Sequence, residues 1–283
     1  MDKRTNRFLR IMNKAKEHSY AVGAVNIFNY ISACAAMDAA EEIGRDIIIQ
    51  TSTGTVREFG AGRLFAMINL LREGRNIDVA LHLDHCTDKE LGKECVLAGW
   101  DAIMMDFSAK PLAENIRDTK EMRMFAHEHN VAIEGEVGVI CGVEEDIVSA
   151  VAVGAGYEET MKFIKESGVD AIAPAIGTAH GVYTGEPVLN FDLVEQLGKE
   201  KTPIVIHGGS GLSAKTFGRL IQLGGRKINI STLVKQAYLD TVHELVLSGE
   251  KLSPISFDNR VYTAVKEEIK KHLLVFGQLK EEF

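Results

Sequence analysis

The sequence predicts an α/β chain folded as a single (β/α)8 barrel of the TIM type, with residues 1–283 as one domain. Three observations predict it. The length of 283 residues suits one barrel of about 250 residues. Short β-rich apolar runs alternate with longer stretches of helical period along almost the whole chain. No Pro/Ser-rich linker, low-complexity tract or short repeat divides it.

Eight strands are expected, at residues 21–27, 46–51, 77–83, 102–105, 131–136, 171–174, 203–207 and 227–230. Between them, 32–43 carries a mostly apolar stripe, Phe191, Val194 and Leu197 recur at a spacing of three, and 113–130 reads as an amphipathic connector. An open doubly wound sheet is the alternative, and the absence of a GxGxxG after the first strand weakens it. Residues 138–157 fit the alternation poorly: this glycine-punctuated stretch reads as a long loop serving as a lid, with the next helix starting near Glu158.

Composition narrows the function. Hydrophobic residues make up 46% and charged residues 25%, enough for a large core. A net charge of −8 disfavours nucleic acid and anionic membranes as partners, so a phosphorylated ligand would need a local site. Cys34, Cys86, Cys95 and Cys141 show no paired spacing and are expected as reduced thiols. No signal-peptide pattern or long apolar window is seen, which leads to the expectation of a soluble, cytoplasmic protein.

Barrel chemistry collects at the carboxyl ends of the strands, and six of the eight end in polar groups here. His85, His180 and His207 each lie just past a different strand. Three imidazoles with one position left open make a catalytic zinc arrangement; the plainer alternative is three satisfied rim histidines. His82 lies within a strand, so it and Asp84 face one way and His85 the other unless the strand has already turned; packing, or support of the site residues from behind, is its expected role.

His207-Gly208-Gly209-Ser210-Gly211 follows an apolar strand, where glycines let backbone amides approach an anion. Asn229-Ile230-Ser231-Thr232 then opens a helix, placing a hydroxyl and unbonded amides at a positive helix end. A tight turn and an ordinary N-cap are the plainer readings of each. Together they favour a phosphosugar.

HLDHC, the MMD of 104–106, IEGEVG, GVEED, GTAHGVYTGEP, IVIHGGSG and KINIST, in this order, resemble the class II, zinc-dependent ketose-bisphosphate aldolases, which include the fructose- and tagatose-bisphosphate enzymes. The similarity runs over 21–232 and more loosely through 258–277. It implies a lyase of carbohydrate metabolism and glycolysis that reversibly cleaves a phosphorylated ketose to dihydroxyacetone phosphate and an aldehyde.

The resemblance further implies that His85, His180 and His207 bind Zn2+ and that Asp84 is the acid/base on the aldehyde-derived oxygen. Asp106 and Glu136 match positions for a second divalent or monovalent cation, and Glu144 matches the mobile-loop carboxylate that takes the substrate proton. Gly181, Gly208, Gly209, Ser210, Asn229, Ile230, Ser231 and Thr232 match the dihydroxyacetone phosphate site, and Ser52 a substrate contact. A homodimer or larger homo-oligomer is the implied assembly.

The physics suits this division: a rigid carboxylate beside a metal ligand and a second one on a loop can share proton traffic. Glu145 and Asp146 compete with Glu144 by position. The family often ends with Gly-Ser and a later arginine, which this chain lacks, leaving Arg57 and Arg260 as candidates for a second phosphate. Two rivals are a class I aldolase with an imine on Lys110 or Lys227 and a non-catalytic phosphosugar-binding or regulatory protein.

Overall fold

The computed structural model describes residues 5–144, 147–149, 153–181 and 187–279, with the backbone alone for 141–144, 147–149 and 180. Among these the elements run α1 (Arg7–Glu17), β1 (Val22–Asn26), α2 (Tyr30–Glu42), β2 (Ile47–Thr51), α3 (Thr53–Phe59), α4 (Ala61–Arg72), β3 (Val79–Cys86) and α5 (Lys89–Leu97). They continue with β4 (Ala102–Met105), α6 (Leu112–Glu128), β5 (Ala132–Val137), β6 (Cys141–Glu144), β7 (Ile147–Ser149), α7 (Tyr157–Ser167), β8 (Ala171–Pro174) and β9 (Ala179–His180). The last are α8 (Phe191–Gly198), β10 (Ile204–Ile206), α9 (Ala214–Leu223), β11 (Gly225–Ile230), α10 (Thr232–Ser248) and α11 (Pro254–Phe276).

Eight of the strands pair in parallel and close on themselves in the order β1-β11-β10-β8-β5-β4-β3-β2. Closure leaves no sheet edge exposed. This is the α/β TIM barrel expected from the alternation. All eight expected strands are present, with ends shifted by a few residues at most.

Each strand is buried on both faces, and alternation sorts its residues. Outward side chains such as Val25, Ile47, Ile49, Leu81, Ile103, Ile133 and Ile172 join the helices in one apolar layer. The inward residues Val22, Ala24, Ile48, Ala80, Ala102, Ala132, Ala171, Ala173 and Val205 form a second cluster with Phe8, Leu9, Ile11 and Met12 of α1. Alanine leaves the lower barrel underfilled, and α1 closes it from the amino-terminal end.

The helix has the spacing for this, with buried positions 8, 11, 12 and 15 on one stripe. Its N-cap, Asn6, accepts from Leu9 N at 3.0 Å and donates to Asp101 O at 2.7 Å and Asn130 O at 2.8 Å, tying α1 to two strand approaches.

The other end of the chain wraps the barrel. α11 lies against α2, where Lys266 and Lys270 both pair with Glu42 and Tyr262 Oη donates to Asp38 at 2.6 Å. It also approaches β1 so closely that a Cβ on Gly23 would lie 2.2 Å from Leu273 Cδ2. Glycine is the residue that permits this contact.

The stretch read as a long loop is built differently. β6 and β7 form an antiparallel hairpin, and β6 also pairs in parallel with β9, so a small three-stranded sheet stands beside the barrel. Its runs are too short to stand out as strands in the sequence; pairing with β9, distant in sequence, supplies the missing hydrogen bonds.

Candidate active site

Above the alanine layer the inward positions turn polar. Asn26, Gln50, His82, Asp84, Glu134, Glu136, Lys227 and Asn229 are all buried, and all occupy positions that alternate with the outward apolar residues. Burial of so many polar groups is costly unless they answer one another. They do so in two linked networks.

The first holds Asp84. Asn26 Nδ2 donates to its Oδ2 at 2.9 Å, and Asn229 Nδ2 donates to its Oδ1 at 3.2 Å. Gln50 Nε2 in turn donates to Asn26 Oδ1 at 2.5 Å, and Lys227 Nζ to Asn229 Oδ1 at 2.8 Å. Each amide is thereby held with its donor toward the carboxylate, and Asp84 is fixed through both oxygens.

The second gathers imidazoles and carboxylates. Simple alternation would have turned His85 away from Asp84, but the β3–β4 register shifts between Leu83 and Cys86 and His85 has φ +43°. This bulge in a left-handed conformation returns His85 to the site; such strain gathers at functional positions. Its ring lies 4.6 Å from that of His207, centroid to centroid, and ligand atoms of Asp84, His85 and His207 lie within 4.8 Å of one another.

His85, Asp106 and Glu136 form an overlapping group under the same 4.8 Å limit. His85 Nδ1 is 2.8 Å from Asp106 Oδ2, while Ser108 N and Oγ hold the other Asp106 oxygen at 3.1 and 2.6 Å. Burial opposes ionisation of Asp106, yet His85 and Ser108 outweigh it and bring the carboxyl down to about 2. Burial likewise opposes charge on His85, and Asp84, Asp106 and Glu136 together override it, raising the imidazole well above its usual range. Burial and then Asp106 push Glu136 upward.

Three carboxylates thus crowd two imidazoles in a water-poor space. Such a donor set fits a divalent cation, and imidazole nitrogen suits zinc. His180 enters through its backbone: a Cβ on Gly208, φ +64°, would lie 2.6 Å from Ala179 O, so the turn after His207 runs against the strand bearing His180. Its side chain lies outside the described residues.

His207 Nδ1 lies 3.3 Å from Glu136 Oε2, and its Nε2 lies 3.0 Å from Glu134 Oε1. Glu134 also meets Lys227 Nζ at 3.0 Å and lies 3.3 Å from His82 Nε2. Burial opposes its ionisation, but Lys227, His207 and His82 hold it well below the carboxylate range. His82 stacks on Phe8 at 5.5 Å, and burial, then Lys227, lower its pKa, so it packs as a neutral ring.

At the anion candidate, Ser210 and Ser231 are buried and Thr232 opens α10. Seven helices, α1, α2, α3, α5, α8, α9 and α11, have their N-cap side chain bonded to a backbone amide. At α10 Ser231 has a hydroxyl and makes no such bond. Gly209 has a packing reason, since a Cβ there would lie 3.1 Å from the Phe217 ring; at Gly181, φ +91°, a Cβ would meet no described residue within 4 Å.

The remaining expected residues have partners of their own or lie outside the described side chains. Ser52 caps α3, accepting from Thr55 N at 3.3 Å. Glu144 ends β6, its backbone paired with Ile147; its side chain, like Glu145 and Asp146, lies outside the described residues. Arg57 lies 3.5 Å from Asp88 and Arg260 3.6 Å from Glu250, all of them surface side chains. Asn26 and Gln50 are absent from the sequence reading of the site and Lys227 enters it only as a rival's imine lysine, although a period of two places each on the inward face of its strand.

The family described as "Fructose-bisphosphate aldolase class-II" matches residues 6–281. The chain belongs to it. A fructose-bisphosphate aldolase of Staphylococcus aureus (strain Mu50) is 35% identical over 268 residues, which cover 93% of this chain and 94% of that protein. The crystal structure of the YdjI aldolase from Escherichia coli K12 superposes with a TM-score of 0.84 at 31% identity, covering 96% of each chain. The fructose-bisphosphate aldolase structure of Campylobacter jejuni, at 24% identity and a TM-score of 0.77 over 94% of this chain and 91% of that one, bears out the fold. As a class II aldolase the protein is a metal-dependent carbon–carbon lyase. Among the described residues no helix is long and apolar enough to cross a membrane.

Proposed function

We propose that the protein carries out zinc-dependent, reversible aldol cleavage of a phosphorylated ketose of the fructose- or tagatose-1,6-bisphosphate type, giving dihydroxyacetone phosphate and an aldehyde. The observation that carries this reading is the convergence of His85 and His207 on Asp84, with Asp106 and Glu136 beside them. His85, His180 and His207 are the residues assigned to hold the zinc, and Asp106 and Glu136 those for a second cation.

A divalent ion held there would act as a Lewis acid for the negative charge that develops on the three-carbon fragment as the carbon–carbon bond breaks. Asp84, pinned by Asn26 and Asn229, is assigned to pass a proton to and from the oxygen of the aldehyde half. Glu144, from its place on the hairpin, is assigned to exchange the proton of the three-carbon fragment, giving it in cleavage and taking it in condensation. The uncapped start of α10, with Ser231 and Thr232, together with the Gly208–Ser210 turn and Gly181, supports a phosphate seat.

An imine mechanism finds no support at either lysine: Lys227 is fully buried against Glu134 and Asn229, and Lys110 pairs with Asp118 at 2.8 Å. Exposed Leu239, Val246 and Leu247 on α10 support a homodimer or larger assembly, which sedimentation tests.

The deciding assay uses a panel of ketose mono- and bisphosphates before and after metal removal. Cleavage of at least one, lost on chelation and restored by Zn2+, is expected. Activity that survives thorough chelation, or a lysine trapped by borohydride with substrate, would overturn the mechanism; ligand binding without any aldol product would make the chain a binder.

A further inference from the structure

Outside the reacting groups, Glu134 is a fully buried carboxylate of the barrel interior with three side-chain partners. It contacts the His207 ring at Nε2, 3.0 Å away, Lys227 Nζ at 3.0 Å and His82 Nε2 at 3.3 Å. All four side chains are at most 1% exposed. We propose that Glu134 is a positioning residue that fixes the His207 ring, holding Nε2 toward the barrel interior so that Nδ1 is the nitrogen offered to the metal. This inference rests on the metal reading above and adds which atom serves it.

The geometry leaves the ring one orientation. Accepting a hydrogen bond from Nε2–H fixes the tautomer in which Nδ1 carries the lone pair, and Nδ1 faces Glu136 in the site at 3.3 Å. Turning the ring over would set a C–H edge against a buried carboxylate.

Lys227 is the counter-charge that makes such a carboxylate tolerable there, since an unpaired buried charge is strongly destabilising. His85 is held through its other nitrogen, Nδ1, by Asp106. The two imidazoles therefore present different nitrogens to one ion, and their outer partners are a carboxylate in each case. Such partners are worth about 10–100-fold in metal affinity.

Histidine-15N-labelled full-length protein loaded with 113Cd2+ gives the direct test, by long-range proton–nitrogen correlation. The His207 signals, assigned by their loss in His207→Gln, are expected to show cadmium coupling at Nδ1 and a proton on Nε2. Cadmium coupling at Nε2 would overturn the inference. If the wild-type chain binds neither Cd2+ nor Zn2+, the metal reading itself fails and the inference falls with it; coupling at the wrong nitrogen leaves that reading intact.

Two double variants then separate positioning from simple charge balance. Glu134→Leu with Lys227→Met removes the acceptor and the pair together and is expected to weaken Zn2+ binding about 10–100-fold with the melting temperature largely kept. Glu134→Gln with Lys227→Met keeps an acceptor oxygen and is expected to recover most of that loss. Equal zinc affinity in the two variants would overturn the proposal, and the cadmium measurement on the wild-type chain decides it should either fail to fold.

Discussion

The two ends of the barrel are made from the same eight strands and solve opposite problems. At the amino-terminal end α1 fills an alanine-lined interior and charges pair: Lys14 with Asp46 at 2.7 Å, Arg10 with Asp78 at 2.5 Å, and Arg72 with Asp101 at 2.6 Å. At the carboxyl end His85 takes a left-handed conformation, Ser231 leaves its helix uncapped, and burial, with Asp106 beside it, pushes Glu136 upward. Surplus carboxylate charge gathers at the rim where a ligand would settle it. The opposite end supplies stability.

The largest effect that can break this comparison is at Asp84. Asp84→Ala is expected to lower turnover by about 100- to 10,000-fold while metal analysis still finds the bound ion, since the residue is assigned to proton transfer. Loss of metal would instead place its carboxylate among the ligands. At the other end, Ile11→Ala opens a cavity under the barrel and is expected to cost about 2–5 kcal/mol in denaturant unfolding with the metal content unchanged. Metal loss there would couple the two ends.

A pair of cap variants sharpens the contrast on a smaller scale. Asn6→Ala is expected to destabilise by about 1 kcal/mol or more, because three backbone groups lose their partner. Ser231→Ala, with no cap bond to lose, is expected to leave stability within about 0.5 kcal/mol and to raise KM for the phosphorylated substrate. A thermal melt and a Michaelis curve check the pair; a destabilised Ser231→Ala would return that serine to ordinary capping.

The smallest effect is a pH dependence away from both ends. Hydrogen bonds from Lys110, Lys89 and Arg117 hold Asp118 at about 2 against its ordinary 3.8, outweighing desolvation. A carboxyl depressed on folding adds stability that is complete above its unfolded value and fades as pH falls from about 4 to 2. Asp118→Asn should therefore flatten the acid limb of the stability profile over that window. An unchanged acid limb would show that these surface pairs contribute nothing.

Much of the barrel and half of its chemistry were legible in the residues. Alternating apolar runs marked all eight strands, and polar groups at their ends marked the rim, because burial on both faces leaves a strand no choice of composition. α1 carries a readable signature too, Asn6 before an apolar stripe, but nothing local says that it must plug a barrel rather than lie on its surface. The hairpin β6–β7 was read as loop since three- and four-residue strands gain their stability from β9, a partner over thirty residues away. The turn at His85 was invisible for a related reason: a bulge depends on the register with β4.

By itself the sequence determined the fold class, the family and which strands end in polar groups, since these follow from periodicity and from ordered motifs along one strand after another. Only the tertiary structure decided which atoms of those side chains meet. Glu134, Lys227 and His82 come from three strands and become partners only when the barrel closes. Hydrogen-bond direction and ring orientation are properties of that closed interior, where water cannot substitute for a missing partner.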